Sequence, residues 1–339
     1  MRTRSILALM AASLFLASRG SAQTFDYTLI DVPCSADLPT LCPNGVAVQT
    51  AVTGINAEGH IVGFFVDGAR HQHGFMRKGR HYTTIDVPGE LAGVTGTLPT
   101  SANGINPAGD IVGSYTAPIN ESVPPDSPAY CPAAHPAACT KGFLYSRGRF
   151  FSVLFTGHPG AIPQRITPDG DIYGCMHDND LGMSMFGAVW TRFADSNLTA
   201  GGGELTDPTM SVSMSMNNGA TPGGQVIVGL WNDTPTRRHG FVVQDGVFQS
   251  YDVPSLTIKV TAIWDINPSG QFVGTYVDAT GRHGFLQNPD GSAPIQLDVP
   301  GELNTIAYGI NPAGVIVGTY AIGPLSHGFV AAPVPPGLR

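Results

Sequence analysis

An all-β, six-bladed propeller is the fold this sequence predicts, and three observations predict it. Glycine (43) and proline (28) make up about a fifth of the 339 residues, punctuation too dense for long helices or coiled coils. One unit recurs six times at the period of a four-stranded blade. The last copy stops one strand short, and a matching strand stands at the other end of the chain.

The units are read directly. GINAEGHIVGFF begins at Gly54, GINPAGDIVGSY at Gly104, RITPDGDIYGCM at Arg165, DINPSGQFVGTY at Asp265 and GINPAGVIVGTY at Gly309; a looser copy, SMNNGATPGGQVIVGLW, begins at Ser215. Each leads to a second signature at His73, Lys141, Phe186, His239, His283 or His327, of the form HGF in four of the six. The glycine closing "IVG" falls at 63, 113, 174, 229, 274 and 318, intervals of 44 to 61 residues. In the fifth unit, strands are expected over 261–267, 271–277, 283–288 and 293–300. Asn-Pro-Ser-Gly and Pro-Asp-Gly form the tight turns, since proline presets φ and glycine accepts positive φ. The "DVP" proline ends the fourth strand because it has no N–H for the ladder.

The sixth unit ends after its third strand, at 327–333. YTLIDVP at 27–33 matches YTTIDVP at 82–88, so an N-terminal strand is expected to complete the last blade and remove an open edge. The pattern G-I-N-x-x-G-x-I-V-G followed by H-G-F resembles the HAF-type repeat family of secreted bacterial proteins. The resemblance covers nearly all of residues 23–333 and is strongest in units one, two, five and six. It implies a secreted repeat protein and carries no uniform activity. Units three and four depart from it, with Thr167 for the Asn and Phe186 for the His.

Residues 1–22 read as a secretory signal: Arg2 and Arg4, an apolar run from Ile6 to Ala17, and small residues up to Ala22. The expected organisation is therefore this signal, one propeller over 23–333 and a tail at 334–339, in a secreted or periplasmic protein. Losing three of the 17 basic residues while keeping all 25 acidic ones leaves a net charge of −11. That balance argues against nucleic acid and anionic membranes, which require basic patches. No second apolar run reaches about 18 residues, so no membrane span is expected. Cys34 with Cys42, and Cys131 with Cys139, are expected to form two local disulfides, each worth about 2.5 kcal/mol. A Cys/His metal site using His135 is the rival reading, but it lacks the close cysteine pairs of zinc sites.

Repetition also assigns roles. The four HGF histidines (His73, His239, His283, His327) recur at equivalent blade positions, spread around a ring, which suits a structural role better than a shared metal. Their expected partners are the "DVP" aspartates Asp86, Asp252, Asp298 and Asp31. The blade glycines are expected to let neighbouring blades approach closely. Two residues on stand Phe65, Tyr115, Met176, Trp231, Tyr276 and Tyr320, read as blade-to-blade packing, with a ring of sugar-stacking aromatics as the alternative. Cys175 takes the slot of Ser114, Thr275 and Thr319, a small buried filler rather than a nucleophile.

The connections after strands one and three are mostly tight, whereas those after strands two and four are long and differ between units. Both long sets emerge on one face, which is where a ligand surface is expected. Two breaks in the repeat sharpen the site: the innermost-strand glycine becomes Arg165 in unit three and Asp265 in unit five. Opposite charges near the axis are expected to pair with each other, with a ligand or with channel solvent, since lone buried charges are costly. His177, Asp178 and Asp180 sit in a D-N-D-x-G loop that offers a possible calcium site, although a distal Glu is missing. His71 beside Asp67 and Arg70, and Arg237 and Arg238 beside Asp233, join Trp231 as further ligand candidates. GxSxG, HExxH, P-loop and GxGxxG motifs are all missing, and no resident cofactor or metal is expected. The function read from this is a monomeric binding or interaction module for an extracellular glycan or protein. The alternative is a hydrolase or lyase acting on a polysaccharide at the channel mouth.

Overall fold

The computed structural model describes residues 23–33, 46–125, 127, 129–133, 138–154, 160–177, 185–191, 215–234, 236–254, 260–302 and 304–335. It is a six-bladed β-propeller of antiparallel sheets. Blade one comprises Gln49–Ile55, Ile61–Val66, Gln72–Lys78 and His81–Ile85. Blade two comprises Thr100–Ile105, Ile111–Pro118, Ala138–Ser146 and Arg149–Val153. Blade three shows three strands among the described residues, Gly160–Ile166, Ile172–His177 and Met185–Trp190. Blade four spans Ser215–Ala220 to Val247–Tyr251 and blade five Thr261–Ile266 to Ile295–Leu297. Blade six takes Ile306–Ile310, Ile316–Ile322 and Leu325–Pro333, and its outer strand is Phe25–Ile30. Those six N-terminal residues pair in register from Phe25 opposite Pro333 to Ile30 opposite Gly328. The ring is closed by its own beginning.

Among the described residues no blade has a core of its own. Buried side chains cluster between blades: Val62, Ile85, Tyr115 and Phe143 between one and two; Val112, Leu144, Ile172 and Trp190 between two and three. Val273, Leu297, Ile316 and Phe329 fill the space between five and six, and Ile30, Val52, Phe65 and Val317 that between six and one. Stacking is thus what takes each sheet's apolar face out of water, as expected for a repeat fold. Phe65, Tyr115, Met176, Tyr276 and Tyr320 belong to these layers, and Trp231 packs against the one between three and four.

The blade glycines do something other than expected. A Cβ on Gly63 would stand 1.9 Å from the Ala51 carbonyl oxygen, on Gly113 2.0 Å from that of Ser101, and on Gly274 2.2 Å from that of Ala262. These carbonyls belong to the innermost strand of the same blade, beside a bulge such as that between Val52 and Gly54. The close approach is therefore within a blade. The inter-blade approach falls instead on the innermost strands, where Gly54 faces Asn103 O at 2.7 Å and Gly219 faces the Asp265 Cα at 2.9 Å, measured from the added Cβ. We expect Gly274→Ala to cost about 3 kcal/mol or more by overpacking. Gly291→Ala, in a turn at φ +74° with open space around it, should cost only about 1–2 kcal/mol. Urea unfolding of both variants checks the contrast.

Two rings of hydrogen bonds lace the blades together. On the tight-turn side, the amide of Asn56 donates to Asn106 O (3.0 Å), Asn106 to Thr167 O (3.5 Å), Asn267 to Asn311 O (3.3 Å) and Asn311 to Asn56 O (3.3 Å). Each Asn Oδ1 also accepts the N–H four residues on, closing its own turn. At the long-loop end, Thr50, Thr100, Thr261 and Thr305 accept the backbone N–H of Val32, Val87, Val253 and Val299 from the preceding blade. The repeated Asn and Thr are thus seam residues.

Candidate functional site

At the axis the six innermost strands come so close that a side chain in the Gly54 position has only the central channel to enter. Arg165 and Asp265 are the two that do. Arg165 Nη1 donates to the carbonyls of Asn103 and Gln164, both at 2.7 Å, and Nη2 donates to that of Tyr308 across the ring. Its Nε lies 3.2 Å from Asp265 Oδ2, an ionic contact off the line of a hydrogen bond. Asp265 Oδ1 accepts the N–H of Ile266 and Oδ2 that of Ile310, each at 3.0 Å. Burial pushes the Asp265 carboxyl above the usual carboxylate range, and Arg165 works against that rise. The pair ties blades two, three, five and six and closes the channel.

Its location is informative. Thr167 and Thr221 replace Asn in blades three and four, and a threonine has no amide to reach the next blade; their hydroxyls accept the N–H of Asp171 and Val226 in their own turns. The asparagine ring is therefore cut on both sides of blade four. Arg165 and Asp265 stand on the blades flanking that gap and bridge it through the axis. Below the pair the channel opens as a cavity of about 90 Å³, walled by Ile55, Ile105, Ile166, Ile266 and Ile310 beneath the turn prolines. It opens on the tight-turn face, opposite the face that loop lengths single out.

The long-loop face carries the histidines. The Nδ1 of His73 meets Asp86 at 2.9 Å, that of His239 meets Asp252 at 3.0 Å, that of His283 meets Asp298 at 2.8 Å and that of His327 meets Asp31 at 2.9 Å. All four expected pairs form. Each ring also lies against the aromatic residue of the neighbouring strand: Phe65, Trp231, Tyr276 and Tyr320, at centroid distances of 4.7 to 5.4 Å. A second carboxylate faces the other ring nitrogen in three blades: Asp67 at 3.5 Å from His73, Asp233 at 3.5 Å from His239 and Asp278 at 3.2 Å from His283. Sequence reasoning missed this second partner, although Asp67, Asp233 and Asp278 each stand five or six residues before the histidine. His71 is exposed with Nδ1 3.6 Å from Asp67, and Arg237 pairs with Asp233 at 3.0 Å. Trp231 presents one face to His239 and its indole N–H to Ser250 Oγ at 3.2 Å. Burial lowers the Arg238 pKa, and Arg282 nearby lowers it further.

These pairs tune stability with pH. For His283, burial opposes the charged ring, but Asp298 and Asp278 outweigh it and hold the pKa above 6.5. The stability this contributes is present below pH 6.5 and is lost as pH rises through the elevated value. The Thr280 hydroxyl and N–H hold Asp278 down at about 2, so its contribution is present above 3.8 and is lost as pH falls toward 2. The melting temperature should therefore fall between pH 6 and pH 9, and His283→Gln should shrink that fall. A pH series of thermal melts checks both.

The remaining expectations divide by position. The Cys131–Cys139 disulfide is present. Cys34, Cys42, Asp178 and Asp180 lie outside the described residues, as does the side chain of His177, so the second disulfide and the calcium loop do too. Cys175 is buried with its thiol 3.6 Å from Met185 Sδ, and burial pushes its pKa up, as a filler role requires. Lys141 takes the histidine position in blade two; it is buried, donates to Tyr130 O at 2.5 Å and is pushed down to about 8 by burial. Among the described residues no helix is long and apolar enough to cross a membrane.

Among solved structures the chain is similar to the sialidase of Trypanosoma rangeli bound to 2,3-difluorosialic acid, with a TM-score of 0.51 and 10% identity over 91% of this chain and 59% of that one. It is also similar to TolB of Acinetobacter baumannii, with a TM-score of 0.47 and 12% identity over 82% of this chain and 64% of that one. The β-propeller domain of the Trilobed protease from Pyrococcus furiosus matches with a TM-score of 0.41 and 9% identity, over 85% of this chain and 86% of that one. The likeness is one of fold. The chain spans about three fifths of the length of the sialidase and TolB chains. No protein-family model matches it, and no curated protein does.

Proposed function

We propose that the protein is a secreted or periplasmic binding module that engages an extracellular glycan or protein on its long-loop face. The observation carrying this reading is the state of the charges a propeller enzyme would use. Arg165 and Asp265 neutralise each other across the axis, and the aspartates of the DVP segments are held by histidines in the blades themselves. Most glycosidases use two free carboxylates on opposite sides of one bond, whereas sialidases use a tyrosine nucleophile. What differs from blade to blade is the loops, including the blade-two connection pinned by Cys131–Cys139 and by the Asn120–Cys131 bridge. Variable loops on a rigid ring are where recognition residues reside. The disulfide and the resemblance to HAF-type repeats support an oxidising destination. The hydrolase or lyase reading has the likeness to the sialidase fold on its side.

The test exchanges the blade-two connection, residues 119–137, for the five-residue connection of blade one, residues 67–71. Glycan-array binding and a polysaccharide-release assay are then run on both proteins. The expected result is binding by the parent protein, its loss in the exchanged one and release by neither. Release of sugar by the parent protein would overturn the reading.

A further inference from the structure

We propose that Arg238 and Arg282, at the long-loop end of blades four and five, hold the carboxylate of an acidic saccharide beside the half-buried rings of Trp264 and Tyr308. The site rests on the long-loop reading above and narrows its ligand to a sugar carrying a carboxylate. Both arginines stand immediately before the histidine of a third strand, the place that Gln72 takes in blade one. There the Gln72 amide is spent on the seam, donating to Thr100 O of blade two at 3.1 Å. Blades four and five bring a positive charge to the same place.

Backbone pairing sets the two arginines at one level. Arg238 bridges to Val260, the Val260 carbonyl accepts the Val277 N–H at 3.0 Å, and Val277 lies opposite Arg282. Three ladder steps put their backbones about 14 Å apart, a gap that two long side chains span. Among the described residues neither forms an ion pair, because the carboxylates at this end are already engaged. Asp233 is taken by Arg237 and His239, Asp252 by His239, and Asp278 and Asp298 by His283. Arg238 is half-buried with one neutral partner, Asn232 Oδ1 at 3.3 Å from Nε, and Arg282 is exposed. Burial and the neighbouring Arg282 both depress the Arg238 pKa. A bound carboxylate relieves both, and its planar oxygens fit the donor fork of a guanidinium.

The same sector supplies contacts for a sugar ring. The extra residue of the innermost-strand bulge is Thr53, Asn103 and Asn218 in blades one, two and four, and each side chain donates to a carbonyl of the next blade. Blades five and six place Trp264 and Tyr308 there, with ring centroids 5.0 Å apart. The Trp264 indole N–H is buried without an acceptor. Arg282 is near enough to Tyr308 to draw its pKa down against the rise from burial. Two rings and an unspent donor beside a pair of cations suit a pyranose with hydroxyls at its edge and C–H groups on its face.

Calorimetric titration of the full chain with tetragalacturonate and with neutral cellotetraose tests the site, with sodium acetate as a third arm. The expected result is saturable tetragalacturonate binding that weakens with added salt, and no saturation by cellotetraose. Arg238→Gln and Arg282→Gln, each a change to the residue blade one carries there, should weaken that binding about tenfold or more. Arg282→Gln alters an exposed side chain and should leave the melting temperature unchanged. Failure of tetragalacturonate to saturate at millimolar concentration, equal affinity for cellotetraose, acetate bound as tightly as the oligosaccharide, or unchanged affinity in Arg282→Gln would each overturn the site. The loop exchange described above decides the long-loop reading separately, because it leaves both arginines in place.

Discussion

Arg165→Met should lower the free energy of unfolding by about 3–5 kcal/mol, the cost of leaving one member of a buried ion pair without its partner. Asp265 would keep its two backbone donors, Ile266 and Ile310, but would lose the only cation within contact among the described residues. The carbonyls of Asn103 and Tyr308 would lose their donor at the same time. The companion variant Arg165→Met/Asp265→Asn should recover most of the loss, because it removes both charges and keeps an acceptor for the Ile310 N–H. Urea denaturation of the parent, both single variants and the double variant closes the cycle. If the single and double variants fall equally far, the pair is not coupled and the axial clamp is refuted.

Removing residues 23–32 should abolish cooperative unfolding. The deletion takes away the six-residue pairing with Leu325–Pro333, the buried Ile30 and Val32, and the Asp31–His327 contact. It also exposes a nine-residue edge that can pair with other chains. A domain holds only about 5–15 kcal/mol in reserve, so a loss on this scale leaves no defined native state. The expected signs are a broad urea transition and association that grows with concentration in size-exclusion chromatography. A synthetic peptide of residues 23–33 should restore the sharp transition by occupying the empty edge. A truncated chain that melts sharply as a monomer would contradict the role assigned to this strand.

Much of this architecture is legible in the sequence because a repeat writes each constraint several times. The spacing between HGF and "DVP" names Asp86, Asp252, Asp298 and Asp31 as histidine partners, and all four pairs form. The unpaired third strand at 325–333 names its own missing neighbour. What the repeat hides is direction. Gly63 and Gly54 look alike in one dimension, yet one admits a carbonyl of its own blade and the other the backbone of the next. Asp67 and Asp233 stand out in the sequence beside His71 and Arg237, but their place against the second histidine nitrogen does not, because the distance to the histidine varies by a residue as the intervening turn changes. The asparagines of the tight turns read as turn formers, and their sideways reach to the next blade is a property of the closed ring alone. Arg165 and Asp265 stand out by breaking the pattern, but that they meet across blade four depends on the curvature, which no single unit encodes.

The interrupted asparagine ring has a mechanical consequence. A hoop under tension yields where its continuous band is spliced, and here the splice is a patchwork: Asn217 and Asn218 donate to Ala188 O and Ile263 O, the Gly223 N–H to Asp169, and the Arg165–Asp265 contact spans the hub. Heat or pulling should part the wheel beside its fourth sector, letting that wedge swing outward while the remaining sectors stay banded together.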